Sequence, residues 1–277
     1  MFMKSVNIEQ IIKKTIKQIK IPKNKKILIA LSGGKDSALV AYFLKKFEYK
    51  IEGFHINLGM GKYSQDCLKS VQELGELLGI KIYYYNIKDE MGSSMCYIRS
   101  AVQEKHSTRG LKNCAICGVI KKWILNKEAK KIKDVSLIAT GHNLDDECQT
   151  FLMNIFKGSP ELSANTGVIT RNIENEKFIP RIKPLFYVPE DKIREYTKEK
   201  KLPVVYEKCP CAIDSYRIQV RKFMNTLKTG KKLNLIKNFE KLYPLIERKK
   251  DSRMKFCKIC NEPSRKNICK KCELVEV

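Results

Sequence analysis

The chain has 277 residues, with 55 Lys or Arg against 30 Asp or Glu, which gives a formal net charge of +25 at pH 7. No apolar run approaches the roughly 18 residues that cross a bilayer, so no membrane partner is expected. The 11 cysteines, several of them in CxxC pairs, favour metal or redox chemistry over a disulfide scaffold.

The basic excess is concentrated near the end of the sequence. From Asp214 to Val277 there are 18 basic and 7 acidic residues. Concentrated positive charge favours a polyanionic partner, of which nucleic acid is the commonest. An anionic membrane surface is the weaker alternative, and an excess that serves only solubility is another.

The first predicted element is an amphipathic helix within residues 1–23. Five isoleucines recur there at helical spacing, namely Ile8, Ile11, Ile12, Ile16 and Ile19. The segment has neither the uninterrupted apolar region nor the small-residue cleavage site of a secretion signal. A cytoplasmic protein is therefore expected.

Residues 24–212 alternate strand-like and helix-like runs. This alternation predicts an α/β domain whose parallel sheet is covered by helices on both faces. The candidate helices include one that begins at Pro189, because proline suits a first helical position. In chain order the candidates are strand Lys26–Leu31, helix Asp36–Phe47, strand Ile51–Ile56, helix Ser64–Leu78, strand Lys81–Ile87, a helix after Cys117, strand Val135–Thr140 and helix Pro189–Lys200.

Two further units follow this domain. Helical patterns at Ser215–Leu227 and Lys232–Glu247 predict a basic helical extension over residues 213–250. Residues 251–277 are too few to bury a core, so they are expected to form a separate small unit with another source of stability.

The six residues Ser32–Ser37, SGGKDS, lie between the first strand and the next helix. Ligands of parallel α/β sheets bind beyond the carboxyl ends of the strands. Gly33 and Gly34 let the backbone approach a ligand closely, and free amides at a helix start favour an anion. The spacing fits neither a Walker A loop nor a dinucleotide fingerprint. An ordinary tight turn capped by Asp36 is the structural alternative.

A second motif, GHNLDDECQT at Gly141–Thr150, follows the strand Val135–Thr140 and is therefore expected at the same edge of the sheet. The adjacent carboxylates of Asp145 and Asp146 can bind Mg²⁺ or assist proton transfer beside a phosphate loop. Acidic residues that only stabilise a helix N-terminus are the alternative.

Two cysteine pairs lie within the same domain. Cys114 and Cys117 alone fit a zinc half-site, a redox pair or a helix start with buried thiols. A third thiolate from Cys209 or Cys211 makes an iron–sulfur site feasible. Three protein ligands would leave one iron open, which suits a reaction that uses an exogenous sulfur atom. A persulfide on one cysteine is the alternative sulfur chemistry.

The terminal unit carries a stronger cysteine pattern, Cys257-x2-Cys260-x8-Cys269-x2-Cys272. Four thiolates in two CxxC knuckles suit tetrahedral Zn²⁺, which can fold a segment that has no core. Unpaired or disulfide-linked thiols are the alternative. The surrounding lysines and arginines suggest that this zinc ribbon grips RNA, although they can also be solvated without a partner.

Together, SGGKDS, CxxCG, GHNLDDE, PRIKPL at Pro180–Leu185 and the terminal cysteines resemble PP-loop ATP pyrophosphatases (adenine nucleotide alpha hydrolase-like proteins). The ordered set is most similar to the tRNA 2-thiouridine synthetases of the TtuA type and the cytosolic wobble-uridine thiolases. This resemblance implies ATP, Mg²⁺, a [4Fe–4S] cluster and Zn²⁺ as cofactors. It implies a nucleotide site formed by Ser32, Gly33, Gly34, Lys35, Asp36, Ser37, His55 and Gly141, cluster ligands Cys114, Cys117 and Cys209, and catalytic roles for Lys121 and Asp145.

Two features depart from that family. The family commonly has an N-terminal zinc-binding cysteine cluster, whereas the first cysteine here is Cys67. Cys211 stands where an aromatic residue is common, so Cys211 competes with Cys209 as the third cluster ligand.

The expected reaction is ATP-dependent thiolation of a tRNA uridine at C2. The expected partners are tRNA and a sulfur donor, either a ubiquitin-like thiocarboxylate protein or a source of persulfide or sulfide; a homodimer is left open. Three alternatives remain: a PP-loop ligase or amidating enzyme on a non-RNA substrate, a tRNA 2-thiocytidine synthetase, and a non-catalytic RNA-binding zinc protein. The sequence does not choose between the wobble and T-loop uridines.

Overall fold

The computed structural model describes residues 7–170, 178–212, 216–242 and 255–276. Strands and helices alternate through most of this part of the chain, as the sequence predicts. In chain order the elements are α1 Ile8–Ile19, β1 Lys26–Leu31, α2 Lys35–Lys46, β2 Lys50–Asn57, α3 Gly61–Leu78, β3 Ile82–Asn86, α4 Ile87–Met91, α5 Met95–Lys105, α6 Asn113–Ala129, β4 Val135–Ala139, α7 Leu144–Phe156, β5 Arg181–Ile182, α8 Glu190–Glu199, α9 Arg217–Asn225, α10 Thr229–Leu242, β6 Lys255–Phe256, β7 Pro263–Ser264 and α11 Lys270–Val275.

The central sheet has the strand order β3-β2-β1-β4-β5, and its described strands all pair in parallel. Successive side chains of a strand point to opposite faces, and β1 shows this directly. Ile27 and Ile29 enter the core shared with α1, α2 and α8, whereas Leu28 enters the core shared with α5 and α6. The predicted α/β class with helices on both faces is confirmed.

Several element bounds differ from the sequence expectation. The long helix before β4 begins at Asn113, so Cys114 and Cys117 lie within its first two turns rather than before it. Pro189 is the N-cap of α8 and not its first helical residue. The two-residue β5 and the helix α5 were not predicted, because β5 is too short to show a periodic pattern.

The extension packs on the sheet domain through α7. Val220 and Met224 of α9 and Ile236 of α10 are buried against Leu144 and Cys148 of α7. This contact fixes the rotation of α7, which carries the two acidic residues of the second motif. Residues 213–215 and 243–250, to which the predicted extension also runs, lie outside the described residues. No described helix combines the length and the apolar character needed to cross a membrane.

Candidate active site and zinc centre

The predicted motifs meet at the carboxyl edge of the sheet. The direction of strand order reverses between β1 and β4, and this is where open α/β sheets bind ligands. A cleft of about 540 Å³ opens there, and we call it the active-site cleft. Nine of the residues predicted from sequence line it, namely Ser32, Asp36, Ser37, His55, Cys114, Cys117, Lys121, Gly141 and Cys209.

The SGGKDS loop is held from its outer side by backbone contacts. Gly33 has a φ of +82°, and a Cβ there would lie 2.7 Å from the Cα of Cys67, so glycine is required. The Val205 N–H donates to the Gly33 carbonyl at 2.8 Å. The Ser32 N–H donates to the Ser37 hydroxyl oxygen at 3.1 Å. The loop is thereby fixed where α2 begins, and free amides at such a helix start can hold phosphate.

The second motif touches this loop through Gly141. A Cβ on Gly141 would lie 2.7 Å from the Ser37 backbone nitrogen and 2.8 Å from the Asp36 carbonyl carbon. The two loops are therefore in van der Waals contact, and neither can take a larger residue at this point without moving.

Gly141→Ala is expected to weaken ATP binding because the added methyl group displaces the Ser37 end of the phosphate loop. A displacement of about 1 Å in a binding site can cost about 100-fold in rate. Gly230→Ala in α10 is the matched control, since a Cβ at Gly230 meets open space. Isothermal titration of ATP into both variants checks the prediction, and equal affinities would contradict it.

Gly33, Gly34 and Lys35 are predicted nucleotide residues that are not among the described residues lining the cleft. The Lys35 ammonium lies 2.9 Å from carboxylate oxygens of both Asp36 and Glu190. Burial would lower the pKa of Lys35, but the two carboxylates outweigh it and raise the pKa. Lys35 therefore ties α2 to α8 and neutralises acidic charge behind the loop.

The two adjacent acidic residues have different surroundings. Asp145 is 5% exposed; it accepts the Glu190 N–H at 2.8 Å and forms an ion pair with Lys232 of α10. Asp146, and not Asp145, is among the residues that line the cleft. Burial raises the pKa of Asp146 to about 6, with Asp36 and Glu190 adding to the rise and Arg217 opposing it. The contacts thus engage Asp145 in links to α8 and α10, whereas Asp146 lies in the wall of the cleft.

His55 lies in the wall of the cleft and is 2% exposed. Its Nδ1 lies 2.9 Å from the Leu31 carbonyl oxygen, so Nδ1 carries the proton and donates. Its Nε2 is then a buried acceptor that has no partner among the described residues. Burial lowers the pKa of His55, which keeps the ring neutral. An unpaired acceptor beside a phosphate loop fits a ligand that carries a hydrogen-bond donor.

Thiols from two segments converge on the same cleft. Cys114 is exposed and Cys117 half-buried within the first two turns of α6, and Cys209 comes from the segment after α8. Burial raises the pKa of the Cys209 thiol, and the neighbouring sulfurs of Cys211 and Cys117 add to this rise. Thiolates that bind different irons of one cluster lie farther apart than thiolates that bind a single ion. The sulfurs of Cys114, Cys117 and Cys209 do not form a group within 4.8 Å of one another, and this wider spacing in one cleft fits an iron–sulfur group.

Cys211 also lines the cleft but has other contacts. The buried guanidinium of Arg99 donates to its Sγ at 2.9 Å, and the Sγ of Cys96 lies 3.7 Å away. A sulfur already engaged by Arg99 and Cys96 is less free to bind iron, and this favours Cys209 as the third ligand.

Several basic residues that were not predicted as site residues also line the cleft: the cationic side chains of Lys122 and Arg181, and His142. Desolvation, together with Lys183, Lys122 and other cations, lowers the pKa of His142 to about 3, so its ring is neutral at physiological pH. These residues are far apart in sequence and share no local pattern. His142 lies inside GHNLDDE and Arg181 inside PRIKPL, and these motifs were the signals that could have found them.

The four terminal cysteines form one group, and their sulfur atoms all lie within 4.8 Å of one another. The sulfurs of Cys260 and Cys269 are 3.6 Å apart, near the roughly 3.8 Å edge of a tetrahedron with Zn–S bonds of about 2.3 Å. Burial would raise the pKa of Cys257, but backbone N–H groups, first that of Cys269, lower it to about 6. The donor set and its spacing fit Zn²⁺.

The segment that holds these four cysteines, residues 255–276, is called the ribbon, and it packs against α6 instead of standing apart. The Asn126 amide donates to Glu262 at 2.8 Å, and Lys130 forms an ion pair with the same carboxylate. Leu274 of α11 is buried in the core that contains α6. The helix that carries Cys114 and Cys117 is therefore supported by the ribbon.

Comparisons with known proteins agree with this geometry. The family model described as a PP-loop domain matches residues 4–227. The tRNA-5-methyluridine(54) 2-sulfurtransferase of Pyrococcus horikoshii is 34% identical over 96% of this chain and 83% of its own. The tRNA 2-thiolation protein NcsA of Haloferax volcanii is 30% identical over 90% of this chain and 81% of its own.

A solved structure of the U34-tRNA thiolase NcsA from Methanococcus maripaludis, with its [4Fe–4S] cluster, superposes with a TM-score of 0.80. It is 27% identical and covers 97% of this chain and 86% of that one. The resemblance drawn from the ordered motifs is confirmed. The chain belongs to the PP-loop sulfurtransferase family that includes the tRNA 2-thiolation enzymes.

Proposed function

We propose that this protein is an ATP-dependent tRNA sulfurtransferase that converts a uridine to 2-thiouridine. The observation that carries the proposal is the active-site cleft itself, in which a PP-loop and the thiols of Cys114, Cys117 and Cys209 share one cavity. Nucleotide activation acts on O2 and sulfur delivery on C2 of the same carbonyl group, so both steps require such a shared cavity. Similarity to the relatives named for tRNA 2-thiolation supports the substrate class.

ATP is proposed to bind with its phosphates on Ser32, Ser37 and the first amides of α2. The unpaired Nε2 of His55 would accept a hydrogen bond from the nucleotide. The uridine O2 attacks the α-phosphorus, pyrophosphate leaves, and the N3 proton is lost. A sulfur nucleophile then adds at C2, and the C2–O bond breaks with AMP as the leaving group. Lys121, exposed at the rim of the cleft, would stabilise the charge on that leaving group.

Cys114, Cys117 and Cys209 are proposed to hold a [4Fe–4S] cluster. A cluster with three protein ligands would leave one iron open to bind sulfide, which a protein thiocarboxylate releases by hydrolysis and a persulfide releases only with a two-electron reductant such as a thiol pair. The structural relative solved with its [4Fe–4S] cluster supports this assignment. The four-cysteine ribbon is proposed to hold Zn²⁺, since four protein ligands close a site to exogenous sulfur.

Asp146 is proposed as the main protein ligand of Mg²⁺. Its carboxyl is protonated below its pKa of about 6 and charged above it. Binding of Mg²⁺·ATP should therefore strengthen as the pH rises from 5 to 7. Titration of Mg²⁺·ATP at several pH values checks this. ATP itself titrates in this range, so Asp146→Asn is the reference; equal pH dependence in both proteins would contradict the assignment.

Nucleoside mass spectrometry tests the function as a whole. tRNA from cells with and without the gene is digested, and the thionucleosides are quantified and mapped to fragments. Loss of 2-thiouridine on gene deletion is the expected result, and the fragment identifies the position. Loss of 2-thiocytidine instead would keep the chemistry and change the base. Unchanged thionucleosides, with the same result in reconstituted reactions, would favour a PP-loop ligase.

A further inference from the structure

A second cleft, of about 380 Å³, lies between α6, the start of β5 and the ribbon. We call it the ribbon cleft. Its described lining includes Trp123, Phe178 and Pro263, which offer apolar surface. Lys122 and Arg181 line both this cleft and the active-site cleft. The two cavities are therefore neighbours, separated by two cationic side chains.

Unpaired polar atoms belong to the wall of the ribbon cleft. The indole Nε1 of Trp123, the amide Oδ1 of Asn126 and the Nε of Arg181 are buried without a partner among the described residues. Two of these atoms are donors and one is an acceptor. An inorganic anion would satisfy only the donors. A nucleobase edge carries donors and acceptors together and also has an apolar face.

The ribbon cleft is lined by more cationic than acidic side chains. Its one lining carboxylate, Glu262, is already paired with Lys130 and Asn126. Lys122, Arg181 and Arg265 have no carboxylate partner in the described part of the chain. Desolvation, and after it the neighbouring Arg181 and Lys183, lower the pKa of Lys122. A phosphodiester would supply the missing negative charge.

We propose that the ribbon cleft binds the nucleotide adjacent to the target uridine of the RNA substrate. The base would lie against Trp123 and Phe178, and its phosphate would lie between Lys122 and Arg265. The shared wall then places the target base in the active-site cleft while its neighbour is held by the ribbon. This proposal rests on the proposed RNA substrate. It adds a positioning site that joins the ribbon to the reaction.

Trp123 is the only tryptophan of the chain, so its fluorescence reports on this cleft alone. Its ring is held under the Lys271 ammonium at 4.5 Å. An unmodified tRNA transcript is titrated into the intact metal-loaded protein under anaerobic conditions. Emission should change, and acrylamide quenching should fall, with the same midpoint as filter binding of the tRNA. Unchanged emission and unchanged quenching at saturating tRNA would overturn the proposal.

Arg265→Ala tests the phosphate contact, with Lys258→Ala as the matched control, because Lys258 is an exposed ribbon residue that does not line the cleft. Arg265→Ala should weaken tRNA binding and reduce the slope of log K against log salt by about 1. It should also raise KM for tRNA more than it lowers kcat. Equal losses in the two variants would indicate diffuse attraction to the ribbon and contradict a defined site.

Two outcomes separate this inference from the proposed function. If tRNA is bound and thiolated but the fluorescence of Trp123 does not change, the proposed function is supported and the ribbon-cleft site is contradicted. If no tRNA is bound or thiolated, the proposed function itself fails. A polyglutamate peptide is titrated in parallel. A Trp123 response to that peptide, without one to tRNA, would assign the cleft to an acidic protein segment and overturn the proposal.

Discussion

Cys114→Ala, Cys117→Ala and Cys209→Ala are each expected to lower 2-thiouridine formation by more than about 100-fold, because loss of even an outer-shell partner of a metal ligand costs about 10- to 100-fold. The unfolding transition should change little. All three thiols lie in the active-site cleft, and Cys114 and Cys117 are not fully buried, so their removal leaves no large void. Anaerobic reconstitution followed by nucleoside analysis measures the activity.

Metal content separates the cluster from a persulfide mechanism. Wild-type protein prepared anaerobically should contain about four irons per chain, and each of the three variants should lose them. Cys211→Ala is the matched control, because Arg99 and Cys96 already engage its sulfur. Retention of iron in Cys209→Ala with its loss in Cys211→Ala would reverse the assignment of the third ligand. Full activity in colourless, iron-free protein would remove the cluster from the proposal.

Cys257→Ala is expected to unfold the ribbon and to weaken tRNA binding about tenfold or more. The reason is that structural zinc supplies about 10–16 kcal/mol of apparent binding free energy to a segment with no core of its own. The buried thiol of Cys257 also accepts the Cys269 N–H at 3.2 Å, so its loss breaks both knuckles. Zinc analysis, limited proteolysis near the C-terminus and filter binding of tRNA measure the three consequences.

Ile259→Ala is the control for this prediction, since Ile259 lies inside the same knuckle and is 50% exposed. It should retain zinc and tRNA affinity. ATP binding should persist in both variants, because the PP-loop is on the sheet domain. Unchanged zinc content and unchanged tRNA affinity in Cys257→Ala would show that these cysteines are not a structural metal site.

The sheet domain was largely predictable because its signals are local. β1 has the predicted bounds Lys26–Leu31, since an apolar run between lysines and Ser-Gly-Gly is distinct in any context. The clustering of the four terminal cysteines was predictable for the same reason, because all four lie within sixteen residues in two CxxC pairs. The nucleotide loop and the cysteine sets followed from the ordered motifs, and the fold places most of them in one cleft.

Which side chains line the cleft depended on tertiary packing, which the sequence does not show locally. Asp145 and Asp146 are neighbours, and a rotation of about 100° per residue decides which one faces the ligand. That rotation is set when Lys232 of α10 pairs with Asp145, a contact made across 87 residues. The Arg181 guanidinium likewise donates to the Lys122 carbonyl oxygen across 59 residues. No local pattern predicts such pairs.

The backbone contact between Val205 and the nucleotide loop has a thermodynamic consequence. The Val205 N–H holds the Gly33 carbonyl, and Val205 precedes Cys209 by only four residues. A nucleotide that shifts the loop therefore acts on the segment that bears the third cysteine. If nucleotide binding changes the affinity for the proposed cluster by some factor, the cluster changes the affinity for the nucleotide by the same factor. Loss of the cluster would then change the affinity of the protein for ATP even in the absence of RNA.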